Sequence, residues 1–182
     1  MQVAAWASLL PPHATCYTAP ATAFVPPACQ AHGAWGEPLW PPGLVGSVTH
    51  AGGYRTVATA PRAQVDALGI DMEPLAPLPP AMWQRLFDPA ELGELLALPA
   101  PQRGGAALAR WCLKEALFKA LLGQVPLDQL PLCRDGADWR PAPALSGHLR
   151  RLGYEPNGFT LRAAAACGWQ RAAVFYCSQP QA

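Results

Sequence analysis

Trp111-Cys112-Leu113-Lys114-Glu115-Ala116-Leu117-Phe118-Lys119 is the stretch on which the reading of this chain turns. At about 100° per residue on a helix, Leu113, Ala116, Leu117, Ala120 and Leu121 form one apolar stripe, while Trp111, Phe118 and Leu122 form a second on another side. A helix with two apolar sides is largely buried. Glu115 and Lys119, spaced i and i+4, then share a narrow polar strip beside Trp111. On a wet surface such a pair contributes a few tenths of a kcal/mol; in an internal cleft its charges would be costly without further partners. The helix is read over residues 103–122, with Gly123 as its C-terminal cap. Lys114 and Lys119 are the only two lysines among 182 residues that include 11 arginines, so the chain keeps lysine in one place.

Working outward, Asp88-Pro89-Ala90-Glu91 has the form of a helix start: Asp88 as cap, Pro89 in the first position and Glu91 closing a capping box. It leads into residues 92–98, which Pro99 and Pro101 end. A shorter helix is read over 80–87. Before the helices, residues 44–50, 54–60 and 67–73 are β-compatible runs separated by Gly52-Gly53 and Pro61, and predict an antiparallel meander of three strands. After the long helix come a loop, a helix over 144–152, and a hairpin of 159–165 with 170–177 turned at Cys167-Gly168. Residues 1–38 hold no lysine or arginine but repeated prolines, which limits them to a strand or two with extended loops. Strands, helices and strands again predict an α+β fold of two related lobes.

Composition narrows the classes of function. Charged residues make up only 14% and the net charge is +1, which excludes a nucleic-acid protein held by counterion release. Apolar residues at 51% and this length allow a core that buries about two-thirds of the unfolded surface. The 22 prolines and 16 glycines indicate a folded, loop-rich chain. Six cysteines include no CxxC pair, and Cys29 with His32 is only half a zinc motif; they read as reduced thiols. The apolar run at 3–10 lacks a basic flank and ends in Pro11-Pro12, unlike a signal peptide. No run approaches the roughly 20 apolar residues of a membrane span. A cytoplasmic protein without membrane contact is expected.

In Leu68-Gly69-Ile70-Asp71-Met72-Glu73 the strand period of two sets Asp71 and Glu73 on one face, with Ile70 and Met72 behind them in the core. Adjacent carboxylates repel, and a cation, a proton or strong hydrogen bonds must relieve them. Solvation at a strand end is one solution, and a hard metal with oxygen ligands is another. Asp71, Glu73 and Glu115 with Lys114 and Lys119 have a coherent joint use, since Mg²⁺ takes a few carboxylates plus phosphate oxygens while lysines neutralise the remaining phosphate charge. His50, after Gly46-Ser47-Val48-Thr49, either binds a phosphate or caps a strand end. His13, His32 and His148 have no supporting context. Walker A, dinucleotide glycine, GxSxG and HExxH signatures are absent.

The ordered set Pro38-Leu39-Trp40-Pro41, Gly46-Ser47-Val48-Thr49-His50, Gly69-Ile70-Asp71-Met72-Glu73, Glu91 and residues 111–119 resembles the 4′-phosphopantetheinyl transferase superfamily. Within it, the pieces are most similar to the surfactin/enterobactin-synthase component D type. The resemblance implies one transferase domain over 1–182, with pseudo-twofold α+β lobes near 1–100 and 101–182, the first shortened, and coenzyme A bound between them. It implies Asp71, Glu73 and Glu115 as Mg²⁺ ligands, Lys114 and Lys119 as phosphate contacts, and Thr49 and His50 as contacts to the nucleotide phosphates. Glu91 matches an acid near the base or its water. The implied reaction moves phosphopantetheine from coenzyme A to a serine of an acyl or peptidyl carrier protein and releases adenosine 3′,5′-bisphosphate. Glu115 is the first choice of general base, Glu91 the second, and Lys119 offsets charge that builds on the diphosphate. A chain holding both lobes is expected to act as a monomer.

One departure stands out. Members of this type carry a basic segment upstream, whereas the first basic residue here is Arg55. A relative that binds coenzyme A or a carrier protein without turnover, and an unrelated Mg²⁺-dependent phosphohydrolase, are the alternatives. With His50, backbone groups and Arg55 holding the nucleotide end, weak selection for the 3′-phosphate is expected. Steady-state kinetics should then be comparable for coenzyme A and 3′-dephospho-coenzyme A, and a large preference for intact coenzyme A would defeat this expectation.

Overall fold

The computed structural model describes residues 4–22, 32–34 and 36–178; Cys29 lies outside them. Two runs rich in β-branched residues, β2 (Leu44–Ala51) and β3 (Tyr54–Pro61), pair antiparallel with Ala51 opposite Tyr54. Gly52 and Gly53 turn the chain between them, both at positive φ, as a two-residue hairpin loop requires. Strand β1 (Thr15–Pro20) adds to the other side of β3, giving a three-stranded sheet in the order β1-β3-β2. A short helix, α1 (Ala4–Ala7), precedes it.

Strand β4 (Ala67–Pro74) does not continue this sheet, which corrects the expected three-strand meander. It pairs antiparallel with β8 (Trp169–Tyr176) and forms the edge of a second sheet, in the order β4-β8-β7-β6-β5. The physical reason lies in the burial of both its faces. Leu68, Ile70 and Met72 enter a core with Trp6, Val45, Ala58 and Phe175, whereas Ala67 enters a separate core built on the long helix. Only a strand lying between two layers buries both faces. Strand β7 (Phe159–Ala166) meets β8 through Cys167-Gly168, both at positive φ. A short hairpin of β5 (Leu132–Asp135) and β6 (Asp138–Pro141), where the sequence predicts a loop, completes the sheet. Runs of four residues around a charged turn carry too little periodicity to register as strands.

Helices α2 (Pro80–Leu86) and α3 (Pro89–Ala97) follow the expected pattern, and both bonds of the capping box are made: Glu91 N donates to Asp88 Oδ1 at 2.8 Å and Asp88 N to Glu91 Oε2 at 3.0 Å. The long helix, α4 (Ala100–Ala120), begins before Arg103 because Pro101 occupies its first turn, where a missing N–H costs no helical bond. At its end Leu122 takes the left-handed conformation with φ 53°. Leu122 N donates to Lys119 O and Gly123 N to Phe118 O, so the glycine stands one place beyond the expected cap. Leu113, Ala116, Leu117, Ala120 and Leu121 are buried as read, Trp111 and Phe118 are half-buried, and Leu122 is exposed. The helix expected over 144–152 is a 3₁₀ turn at Pro143–Leu145 followed by α5 (Ser146–Arg151). Among the described residues no helix is long and apolar enough to cross a membrane.

Helix α4 lies directly on β4. A Cβ added at Gly69 would fall 1.8 Å from Ala116 O and 2.7 Å from Ala120 N, so glycine is what lets helix and strand approach. Gly69→Ala is expected to cost at least about 2 kcal/mol, because the blocking atoms are helix backbone. Urea unfolding measures this, and a midpoint equal to that of the unsubstituted protein would contradict the contact.

Candidate active site

The close approach at Gly69 sets the outer part of β4 against Glu115 and Lys119, the neighbours of Ala116 and Ala120 on α4. Asp71 is 4% exposed. Its Oδ1 accepts from Lys119 Nζ at 2.7 Å and from Thr49 Oγ1 at 3.1 Å, and Lys119 Nζ reaches Ile70 O at 3.3 Å. Asp71 Oδ2 is buried without an oxygen or nitrogen hydrogen-bond partner among the described residues. Strand β2 supplies hydroxyls to the open edge of β4: Ile70 N donates to Ser47 Oγ at 3.0 Å and Met72 N to Thr49 Oγ1 at 3.2 Å.

Glu73 and Glu115 are half-buried beside this aspartate. Burial pushes the Glu73 carboxyl above its ordinary 4.5; the charges of Asp71 and Glu115 add to the rise and Lys119 opposes it. Glu115 is also raised, first by burial and further by Asp71, against the pull of Lys119. Beneath them the buried Cys112 thiol is pushed up by burial, then by the Asp71 and Glu73 charges and by a hydrogen bond to the Asp71 carboxylate. The structure therefore brings Asp71, Glu73, Glu115 and Lys119 into one electrostatic cluster. Among the described residues no three His, Cys, Asp or Glu side chains group closely enough to hold a metal ion by themselves. Mg²⁺ needs no such cage, since it keeps waters and takes one or two carboxylates plus substrate phosphates. The unpartnered Asp71 Oδ2 and two carboxylates driven toward protonation fit a hard divalent cation, which Asp71, Glu73 and Glu115 could hold.

A cavity of about 390 Å³ opens beside the cluster, with Lys119, His50, Arg55, Trp40 and Phe118 in its wall. His50 and Arg55 are cross-strand neighbours on β2 and β3. Trp40 packs over Gly46, where a Cβ would meet its ring at 2.7 Å. His32, which had no context in the sequence, and Glu37 also face this cavity. In the sequence Trp40 belongs to a motif and Phe118 to an apolar stripe; their position beside cations is assembled only by the fold.

Two expected phosphate contacts, Thr49 and Lys114, and the second-choice base, Glu91, sit away from the cavity. Thr49 is buried with its hydroxyl turned to Asp71 and Met72. Lys114 is fully buried, and its Nζ donates to Leu86 O at 2.7 Å and Glu91 Oε2 at 2.8 Å. Glu91 Oε1 accepts from Leu132 N at 3.0 Å. Lys114 and Glu91 thus tie α2, α3, α4 and β5 together, with no solvent-facing atom to offer a phosphate.

A family model described as the 4′-phosphopantetheinyl transferase superfamily matches residues 67–162, and the chain belongs to that superfamily. The match spans β4, the helices α2 to α5, the β5–β6 hairpin and the first half of β7. Among curated relatives, the 4′-phosphopantetheinyl transferase PptT of Mycobacterium tuberculosis is 41% identical over 97 residues, 53% of this chain and 42% of that protein. The 4′-phosphopantetheinyl transferase Npt of Nocardia iowensis is 38% identical over 95 residues, covering 52% and 42%. The 4′-phosphopantetheinyl transferase Svp of Streptomyces mobaraensis is 38% identical over 130 residues, covering 70% and 51%. The chain spans about half the length of these relatives. A crystal structure of holo-[acyl-carrier-protein] synthase from Neisseria meningitidis aligns with a TM-score of 0.49 and 20% identity, over 62% of this chain and 98% of that one.

The raised carboxyls carry a pH dependence. Folded Glu73 and Glu115 keep their protons to higher pH than the unfolded chain does, so stability falls as pH rises from about 4.5 through their raised values. Glu73→Gln should melt higher than the unsubstituted protein at pH 7 and lose that advantage below pH 4.5. A lower Tm for the variant at pH 7 would contradict the assignment.

Proposed function

We propose that this chain transfers 4′-phosphopantetheine from coenzyme A to a serine hydroxyl of an acyl or peptidyl carrier protein, releasing adenosine 3′,5′-bisphosphate, in the manner of the surfactin/enterobactin type. The observation that carries the proposal is the buried Asp71 with one oxygen unpartnered, joined to Lys119 at the wall of a cavity that also holds His50 and Arg55. Membership of the superfamily and the names of the relatives support it. Mg²⁺ held by Asp71, Glu73 and Glu115 would neutralise charge on the diphosphate.

The remaining steps fall to the chain's own groups. Lys119 is partly exposed, with 27% of its side chain open, so its ammonium can meet a phosphate oxygen in the cavity. His50 and Arg55 hold the nucleotide phosphates from the sheet side. The serine oxygen bonds to the β-phosphorus while the bond from that phosphorus to the bridging oxygen breaks. Glu115, whose carboxyl burial raises above its ordinary value, takes the serine proton, and Lys119 offsets the charge left on the departing phosphate. Lys114 and Glu91 support the helices that carry these groups. The reading includes a cytoplasmic monomer, supported by the thiols of Cys16, Cys112, Cys133 and Cys167, which form no disulfide.

Intact-mass analysis of an apo carrier protein incubated with coenzyme A, Mg²⁺ and this protein tests the proposal. A gain of one phosphopantetheine is expected, and Asp71→Asn or Glu115→Gln should slow it by about 100-fold or more while leaving the fold intact. Near-normal transfer by either variant would refute the roles given to these residues.

A further inference from the structure

We propose that Thr49 is a positioning residue that sets the orientation of the Asp71 carboxylate, and is not a contact to the substrate's phosphates. The inference rests on the proposed role of Asp71 as a cation ligand.

A threonine hydroxyl has one proton to donate and lone pairs to accept with. Thr49 donates to Asp71 Oδ1 at 3.1 Å and accepts from Met72 N at 3.2 Å. The residue is 2% exposed, so a phosphate oxygen cannot reach it without displacing a bond that β4 needs. Ser47 repeats the arrangement two residues earlier, accepting from Ile70 N. Strand β2 therefore lies along the open edge of β4 with hydroxyls in place of a backbone ladder, and the spacing of Ser47 and Thr49 matches that of Ile70 and Met72.

The two bonds to Asp71 differ in permanence. Both fall on Oδ1, and together they leave Oδ2 as the oxygen without a partner. Lys119 also lines the cavity and can turn to a phosphate there. Thr49 is anchored on a strand and to Met72 N, so it stays. Once Lys119 is drawn away, Thr49 is the hydroxyl donor that still holds Oδ1, with the weaker Cys112 thiol beside the carboxylate, and it keeps Oδ2 aimed at a cation. Partners of this kind, which orient a ligand from behind, affect metal affinity by about 10- to 100-fold.

Two titrations of the whole protein separate the readings: Mn²⁺ uptake followed by electron paramagnetic resonance without coenzyme A, and coenzyme A binding by calorimetry in EDTA. Thr49→Val, close in shape but without the hydroxyl, should weaken Mn²⁺ binding about tenfold and leave coenzyme A binding within about twofold. Thr49→Ser should restore Mn²⁺ affinity. Ser47→Ala removes a bond to β4 but none to Asp71, so it should lower Tm and leave Mn²⁺ affinity within about twofold. Thr49→Ala carries the same expectation if Thr49→Val fails to fold. The reverse pattern, with Mn²⁺ affinity unchanged and coenzyme A affinity reduced, makes Thr49 a phosphate contact and overturns the proposal. So does a protein that takes up no Mn²⁺. If Mn²⁺ uptake responds as expected but no carrier gains mass, the transferase reading fails and the positioning role stands.

Discussion

Helix α4 resting on β4 at Gly69 is the contact from which the other features of the site follow. Helix backbone occupies the space a side chain would fill at that position, so the two elements meet with no layer between them. At that distance, the helix residues immediately before Ala116 and Ala120 lie over residues further along the strand. Glu115 and Lys119 thereby come to Asp71 and Glu73, though more than forty positions separate them in the chain. Both partners are well supported, since β4 is held by β8 on one side and by β2 hydroxyls on the other.

The join between the two sheets is of an uncommon kind. Backbone groups on an exposed strand edge must find partners when buried, and the open edge of β4 finds them in side chains of β2 instead of in a backbone ladder. This leaves the sheets separate and lets β2 bring Thr49 to Asp71 while His50, next in the chain, turns outward to the cavity. One five-residue motif thus does two jobs, with alternate residues facing inward to β4 and outward to solvent.

The two lysines divide in a similar way. Lys114 is enclosed and bonded to Glu91, and breaking a buried pair of this kind by removing one partner costs about 3–5 kcal/mol. Its neighbour five positions on, Lys119, is left partly open. The helix period explains the division: the positions lie on different sides of α4, one turned to α2 and α3 and the other to β4. Charge is scarce in this chain, and away from water it is either bonded on several sides, as at Glu91, or gathered where burial and then the nearby Asp71 carboxylate raise the carboxyl pKa, as at Glu73 and Glu115.

The local elements were legible in the residues themselves. The capping box at Asp88 and Glu91, the turns at Gly52-Gly53 and Cys167-Gly168, the stripes of α4 and the strand alternation at Asp71 and Glu73 each depend on neighbours a few positions apart, and short-range sterics and hydrogen bonding decide them. The choice of residue types for a hard cation and for phosphate was equally present, because donor chemistry belongs to the side chain. What only the tertiary structure decided was which partner each one meets. Strand β4 pairs with β8 instead of β3, Thr49 turns inward, Lys114 is enclosed while Lys119 is not, and Trp40 joins His50 and Arg55. Pairing over long separations depends on how two cores share one strand, and the alternation of residues along that strand is the same whichever neighbour it takes.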